Sequence, residues 1–488
     1  MKNLPKKRNP FEKPPTRCPS IWLIFALGVA GCLFLINLTA SWDLAFPFCH
    51  QDDWRTIRIF LNKFYAGELT LFDYWSDPVH PAPLFALMLL SNAKYFALRP
   101  DFAVRIHLVF QLAIGILITM RMLKHSTALS HREKLLMLLG AVSCSLILFN
   151  MHYGTQYYWD RVTHGYLYIC VFVLTAVVLE RVVNQHSRPW FDILVTLLLF
   201  ALFSALYIDL MIIFALTIAS VLLWNAIRRK SSPFFSLGVA LFLVSASFAF
   251  LVPISRISRF HIGGSSDWSI ALATMSHPLS VLQSFGIGLS SGIINTTALL
   301  DLWPWAHRPL VLGATFFAIS YLILLFRILF GKRLHRNLFP AFLMVFSLIY
   351  MIPVILFRIS PIEHGIFCMV IPRYAIFYHV GLIGYTFALY SELRLIIDKH
   401  PAVALRSGMV ITVTLSMLWL SGLWISHNKA VFLKKRYPLI AEQMRARVDD
   451  PTADLSVWVA RPEHGDLSEE FALLKKYKLN VFADSLPY

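Results

Sequence analysis

Long uninterrupted runs of apolar residues constrain the fold of this 488-residue chain more than any other feature. Each run covers roughly 16–22 residues, and a helix needs about 20 to cross the ~30 Å hydrocarbon core of a bilayer. Membrane β-strands would instead alternate apolar and polar residues over about 10 positions. Hydrophobic residues make up 57% of the chain and charged residues 15%, against about 25% charged in soluble domains. The chain is therefore predicted to be an all-α polytopic membrane protein.

About eleven of these runs are predicted to be transmembrane helices. They lie at residues 21–40, 102–121, 135–150, 166–180, 191–207, 210–227, 234–252, 309–330, 337–357, 374–390 and 404–426. The first run is expected to remain in the protein as a helix. It is too long for the core of a signal peptide, and no clear small-residue cleavage site follows it.

The distribution of positive charge predicts the orientation. The formal net charge is +17, and the basic leader at 1–20 together with the predicted inner loops accounts for all of it. The positive and negative charges of the loops predicted on the other side of the membrane nearly cancel. Because cytoplasmic loops carry an excess of Lys and Arg, we expect a cytoplasmic N-terminus and an outer C-terminus. This explanation of the positive charge leaves no reason to expect nucleic-acid binding.

Three regions are predicted outside the membrane on the outer face. The transmembrane domain, 21–426, contains two large outer loops at 41–101 and 253–308, and 427–488 forms a small C-terminal segment. Within the first loop, the apolar stretch 80–100 is predicted to lie along the membrane surface. A true span there, with an undetected partner elsewhere, is the alternative. The Gly/Ser-rich second loop is predicted to be a mobile gate or a partly re-entrant segment.

The six cysteines are scattered and indicate neither a disulfide framework nor a structural metal site. A single bridge between Cys49 and Cys368, both in predicted outer loops, stays open. The sequence establishes no cofactor and no metal ligands, and it leaves a requirement for a divalent cation undecided.

An acidic pair, Asp52 and Asp53, stands out in the first outer loop. The apolar residues that follow recur at helical spacing and predict an amphipathic helix over 54–66 on the membrane surface. One aspartate can cap this helix, but capping does not explain the second. A carboxylate near a low-dielectric surface and beside a like charge has a raised pKa, which suits a general base.

The order of elements around this pair resembles the start of GT-C glycosyltransferases of the protein O-mannosyltransferase and lipid A aminoarabinose transferase type. The similarity covers roughly residues 20–125. In this family an acidic pair follows the first span, then come a His-Pro-Pro-Leu or Lys-Pro-Pro-Leu element, a surface helix and an Arg-containing second span. The matching residues here are Asp52-Asp53-Trp54, Gly67, His80-Pro81-Ala82-Pro83-Leu84 and Phe102-Ala103-Val104-Arg105. Asp53 replaces the usual Glu, and Ala82 replaces the second proline.

The resemblance implies a GT-C-like fold and a bacterial inner-membrane enzyme. Such an enzyme transfers a sugar, with inversion, from a polyprenyl-phosphate carrier to a periplasmic lipid, glycan or protein, among membrane lipids. Carried onto this chain, Asp52 would be the general base and Asp53 would orient the acceptor or tune Asp52. His80 would face the lipid phosphate.

A phosphate-bearing donor also requires cations at the outer membrane level, and arginine binds phosphate through two hydrogen bonds. Arg256 and Arg259 are three residues apart and would share a helix face, with His261 close by. Arg373, followed by Tyr374, begins a late span and is the strongest candidate. Snorkelling at a helix end is the alternative explanation for each cation.

Two other functions remain open from the sequence. A flippase or transporter of lipid-linked sugar would be expected to show inverted repeats and ionisable residues in mid-span. An O-antigen polymerase or ligase also has many spans and large outer loops, but it does not need an acidic pair directly after the first span.

Overall fold

The computed structural model describes residues 21–49, 52–70, 73–75, 83–123, 129–151, 165–184, 189–206, 208–229, 239–243, 268–331, 337–370, 374–450, 452–453, 455, 459 and 467–483. All regular secondary structure in these residues is helical. The first part of the chain contains α1 (Ile21–Leu44), α2 (Asp52–Thr56), α3 (Asn62–Ala66), α4 (Pro83–Phe96), α5 (Pro100–Leu123), α6 (His131–Leu148), α7 (Gly165–Val183), α8 (Pro189–Leu206) and α9 (Ile208–Arg229).

The second part contains α10 (Trp268–Met275), α11 (Pro278–Ser291), α12 (Thr296–Leu302), α13 (His307–Phe330), α14 (Leu338–Pro353), α15 (Pro361–His364), α16 (Ala375–Ile396), α17 (Pro401–Lys434), α18 (Tyr437–Asp449) and α19 (Ser468–Lys476). Two π-helical turns, Ile57–Leu61 and Val354–Arg358, join α2 to α3 and extend α14. Short 3-10 turns lie at Asp73–Trp75, Pro304–Ala306, Ile366–Met369 and Asn480–Phe482.

Six helices of the described chain are long and apolar enough to cross a membrane, which confirms a multi-pass membrane protein. They are Ile21–Trp42, Pro100–Leu123, Gly165–Val183, Pro304–Phe330, Leu338–Leu356 and Pro401–Lys434. Helices also lie at four other predicted spans, but they are not among these six. The four are 135–150, 191–207, 210–227 and 374–390. The predicted span 234–252 lies mostly outside the described residues. The count of eleven spans therefore stays a prediction.

Polar side chains inside the bundle donate hydrogen bonds to the carbonyl groups at the end of α6. A helix leaves its last four carbonyls without partners in the helix, and a buried unpaired carbonyl is costly. Gln111 on α5 donates to the Leu148 carbonyl at 2.8 Å. Asn37 on α1 and Trp419 on α17 donate to the Phe149 carbonyl at 3.1 and 2.9 Å. Polar side chains from three helices therefore hold α6 in place.

The second of the two predicted outer loops contains a sharply bent helix pair. α11 and α12 meet at 94°, as in a broken span or a re-entrant loop. The second half of α11, residues 284–291, is buried, and α11 packs against α13, α16 and the 3-10 turn Ile366–Met369. This arrangement agrees with the predicted partly re-entrant segment. Its mobility stays a prediction.

Close packing of α11 against α13 requires a glycine at position 286. A Cβ there would collide with the backbone carbonyl of Ala314, whereas a Cβ at Gly313, on α13 itself, would meet nothing within 4 Å. Small residues at helix crossings allow such close approach in membranes.

The Gly286→Ala variant should therefore lose about 1–3 kcal/mol of stability, because a backbone has to move. Gly313→Ala is the matched control and should be neutral or slightly stabilising, since alanine favours helix by up to about 1 kcal/mol. Unfolding in detergent by titration with SDS, followed by tryptophan fluorescence, measures both. Equal stabilities for the two variants would contradict the close crossing.

Ion pairs join neighbouring helices at one end of the bundle. Arg121 at the end of α5 pairs with Glu180 at the end of α7. Arg394 near the end of α16 pairs with Glu133 at 2.8 Å, and Glu133 also forms a capping box with Ser130 at the start of α6. Arg327 and Glu392 form a third pair between α13 and α16 at 2.7 Å.

The C-terminal segment packs onto the residues that follow α1. The Asn480 side chain donates to the carbonyl of Pro47, just beyond the end of α1, at 3.0 Å. Tyr437 at the start of α18 packs edge-to-face on Phe46 and Phe48. The first loop and the C-terminal segment therefore lie at the same end of α1, opposite the end that follows the N-terminal leader.

Candidate functional site

The acidic pair begins a helix at the end of the bundle. Asp52 and Asp53 are the first two residues of α2, where the partial positive charge of a helix N-terminus stabilises carboxylates. Asp53 is buried, with 2% of its surface exposed. The side chain of Asp52 lies outside the described part of the structure.

The helix that follows the pair is confirmed, but it contains a π-helical turn. Such turns insert one extra residue and are frequent at functional sites. Ile57, Phe60 and Leu61 within the turn are at most 1% exposed, and the turn packs against α4 and α19. The expectation that this apolar face lies on the membrane surface is therefore wrong, because the protein itself covers it. Sequence periodicity identifies an apolar face but not what covers it.

The same helix binds the C-terminal segment through polar and aromatic side chains. The Trp54 indole donates to the carbonyl of Val459 at 2.8 Å, and its ring packs on Phe471 with 4.8 Å between centroids. Arg58 pairs with the buried carboxylate of Glu470. These contacts are one helical turn apart, which fits residues on a single helix face.

The contact continues to the end of the helix. Tyr65 stacks on Tyr477 with 4.0 Å between ring centroids, and the Tyr477 hydroxyl lies 3.4 Å from the Asn62 side-chain oxygen. Residues about 400 positions apart in the chain therefore form one unit around the acidic pair. No sequence pattern predicted this contact.

The surface helix predicted within 80–100 corresponds to α4. With 14 residues it is about 21 Å long, too short to cross ~30 Å of hydrocarbon as a straight helix. Leu87 and Tyr95 are exposed on it. Its length agrees with a helix along the membrane face, and that location stays a prediction.

Arginines and an aspartate form a cluster where α5 begins. Asp101 is buried and accepts hydrogen bonds from Arg99 at 2.9 and 3.2 Å. Arg105 lies 3.2 Å from the same carboxylate and over the ring of Trp42 at 4.3 Å. Asp101 therefore orients Arg105 at the start of α5. The spacing of four residues between the two is a sequence signal that could have identified this pair.

A further acid of the first loop has a structural role. Asp73 accepts a hydrogen bond from the Lys63 ammonium group at 2.7 Å and others from the backbone and hydroxyl of Thr70 at 2.8 and 2.6 Å. These hydrogen bonds, that of Lys63 foremost, lower the pKa of Asp73 to about 2. Asp73 is therefore an ionised anchor of the loop and a poor general base.

Most predicted donor-binding residues lie outside the described residues. These are His80, Arg256, Arg259, His261 and Arg373. Tyr374 is described and directly precedes α16. It is 4% exposed and packs near Tyr350, with 6.1 Å between ring centroids. Its contacts place it in the core beside α14 and α16, whereas Trp54 and Arg58 of the acidic helix contact the C-terminal segment.

A buried histidine that the sequence reasoning did not single out lies beside the bent helix pair. The Nε2 atom of His379 on α16 is 2.7 Å from the carbonyl of Gly292, directly after α11. Asn150, after α6, donates to the neighbouring Ile293 carbonyl at 3.4 Å. These contacts tie the bend between α11 and α12 to the bundle.

The described residues include no group of three or more His, Cys, Asp or Glu side chains arranged to hold a metal ion. Cys49 and Cys368 are both buried, and no disulfide joins them, so the bridge left open by the sequence is not formed in this structure. The question of a divalent cation stays open.

Comparison of the chain with protein-family models, with curated proteins and with solved structures finds no match.

Proposed function

We propose that this protein is a GT-C-like membrane glycosyltransferase that transfers a sugar from a polyprenyl-phosphate carrier to an acceptor outside the membrane. One observation carries the proposal: the acidic pair begins a helix that α4 and the C-terminal segment clamp at the end of a helical bundle. A helix held in this way can present a carboxylate in a constant position, which is what a general base requires. The order of sequence motifs around the pair supplies the reaction class.

In the proposed reaction, Asp52 accepts the proton of an acceptor hydroxyl or amine. The freed electron pair attacks the anomeric carbon, and the bond from that carbon to the lipid phosphate oxygen breaks with inversion. The lipid phosphate leaves with the bonding electrons, and cations at the outer face stabilise its charge. His80, Arg256, Arg259, His261, Arg373 and Tyr374 are the proposed donor-binding residues. The buried Asp53 orients the acceptor or tunes Asp52.

The same proposal places the chain in a bacterial inner membrane with about eleven spans, a cytoplasmic N-terminus and a periplasmic C-terminus. Two observations support it. The C-terminal segment lies at the same end of α1 as the acidic pair. The arginines at the opposite end, including Arg121 and Arg394, fit a cytoplasmic face.

This topology predicts opposite behaviour for reporters at the two termini in a bacterial host. Alkaline phosphatase fused after residue 488 should be active, because it folds only outside the cytoplasm. Green fluorescent protein fused before residue 1 should fluoresce, because it matures on the cytoplasmic side. Inactive phosphatase with an expressed full-length fusion would reject the proposed orientation.

The decisive test of the reaction is sugar release from a panel of polyprenyl-phosphate sugars by the purified protein. Release that depends on Asp52 supports a glycosyltransferase. Consumption of diphosphate-linked oligosaccharides alone would favour an O-antigen polymerase or ligase. Movement of labelled lipid across vesicles without release of sugar would favour a flippase.

A further inference from the structure

All non-glycine residues with left-handed backbone in the described chain lie at one junction. They are Ala97 (φ 53°), Leu98 (φ 57°), Lys478 (φ 52°) and Asn480 (φ 51°). This conformation is unfavourable for residues with a Cβ atom, and it persists where surrounding contacts impose it, often at functional sites. The turn between α4 and α5 thus meets the C-terminal segment in a strained arrangement.

Asn480 makes the hydrogen bonds that hold this junction. Its side-chain amide donates to the carbonyls of Pro47 at 3.0 Å and Leu98 at 2.9 Å. Its backbone N–H donates to the Ala97 carbonyl at 2.7 Å. Asn480 is fully buried. One residue therefore joins the segment after α1, the α4–α5 turn and the C-terminal segment.

The same C-terminal segment holds the helix of the acidic pair. Phe471 packs on Trp54, the residue next to Asp53. Glu470, whose side chain is 1% exposed, pairs with Arg58 one turn later. The helix that carries Phe471 and Glu470, α19, packs in turn against the 3-10 turn Asn480–Phe482.

We propose that residues 467–483 are a latch that positions the acidic pair for catalysis, with Asn480 and Glu470 as its positioning residues. This inference rests on the proposed function. The latch acts through the helix: it fixes Trp54 and Arg58, and these set the position of the two carboxylates. A displacement of about 1 Å at a reacting group costs about 10²-fold in rate, so loosening the latch lowers kcat.

The test compares Asn480→Gly with Lys478→Gly. Glycine adopts the left-handed conformation without strain, so the first variant removes the side-chain hydrogen bonds and keeps the backbone. Lys478→Gly is the control: it relieves the same backbone strain at a residue whose side chain is exposed. Asn480→Gly should lower kcat about 10–100-fold with an unchanged KM for the donor, whereas Lys478→Gly should keep wild-type kinetics. Glu470→Gln should also lower kcat.

A second comparison separates positioning from general damage. In an Asp52→Asn background there is no base left to position, so Asn480→Gly should cause no further loss of rate. A full additional loss in that background would overturn the latch, as would unchanged kcat in Asn480→Gly alone.

Hydrogen exchange tests the latch without any assay of activity. Amides of residues 52–66 should exchange at least several-fold faster in Asn480→Gly than in Lys478→Gly, since the helix opens more often. Equal exchange would overturn the latch. If the wild type releases no sugar from any donor, the proposed function fails, and the exchange comparison still decides whether the segment clamps the helix.

Discussion

Replacement of Asp52 by asparagine is expected to lower sugar transfer by about 10²–10⁴-fold while the protein stays folded. Asparagine keeps the shape of the side chain and is also favoured at helix N-termini, so the start of α2 should persist. The substitution removes the negative charge and, with it, the ability to accept a proton. Initial rates with a polyprenyl-phosphate sugar, at equal amounts of folded protein, measure the effect.

Asp53→Asn is the matched control, one residue further along the same helix. An amide can replace part of the role of an acid that only orients the acceptor, so the loss of rate should be smaller. If Asp53→Asn is inactive and Asp52→Asn is not, the base is Asp53 and the reaction class survives. If both variants keep full transfer, the proposed mechanism is wrong.

Arg121→Met is expected to destabilise the protein by about 3–5 kcal/mol, the usual effect of removing one partner from a buried ion pair. The side chains of Arg121 and Glu180 are only 15% and 3% exposed. The variant leaves the Glu180 carboxylate buried without its arginine. SDS titration in detergent gives the change in the free energy of unfolding.

Two further variants make this result specific. Arg327→Met removes a partner from an ion pair at the same end of the bundle, but Arg327 is 64% exposed, so about 0–1 kcal/mol should be lost. The double variant Arg121→Met with Glu180→Met should recover much of the loss, because no buried charge then remains. Similar losses for Arg121→Met and Arg327→Met would show that burial of the first pair is not important.

The spans of the described bundle follow closely from local sequence. The predicted span 102–121 corresponds to Pro100–Leu123, and 166–180 corresponds to Gly165–Val183. A bilayer requires a fixed length of apolar helix, so an apolar run identifies the span almost directly. The ends differ by a few residues because caps and prolines, not hydropathy, decide where a helix stops.

The acidic helix was predictable only in part. Its existence and its apolar face followed from residue spacing, but the π-helical turn at Ile57–Leu61 did not. The burial of Asp53 and the contact of Arg58 with Glu470 also could not be read from the sequence. Each depends on a partner about 400 residues away, and no periodicity encodes such a pairing.

The sequence by itself determined that this chain is a helical membrane protein and where most of its helices lie, because hydrophobic length and helical period are local properties. Tertiary structure decided how those helices serve a site. It bent α11 against α12, covered the apolar face of the acidic helix with protein and joined the C-terminal segment to the residues after α1 through Asn480. These features arise from packing and hydrogen bonds between distant segments, which form only when the whole chain has folded.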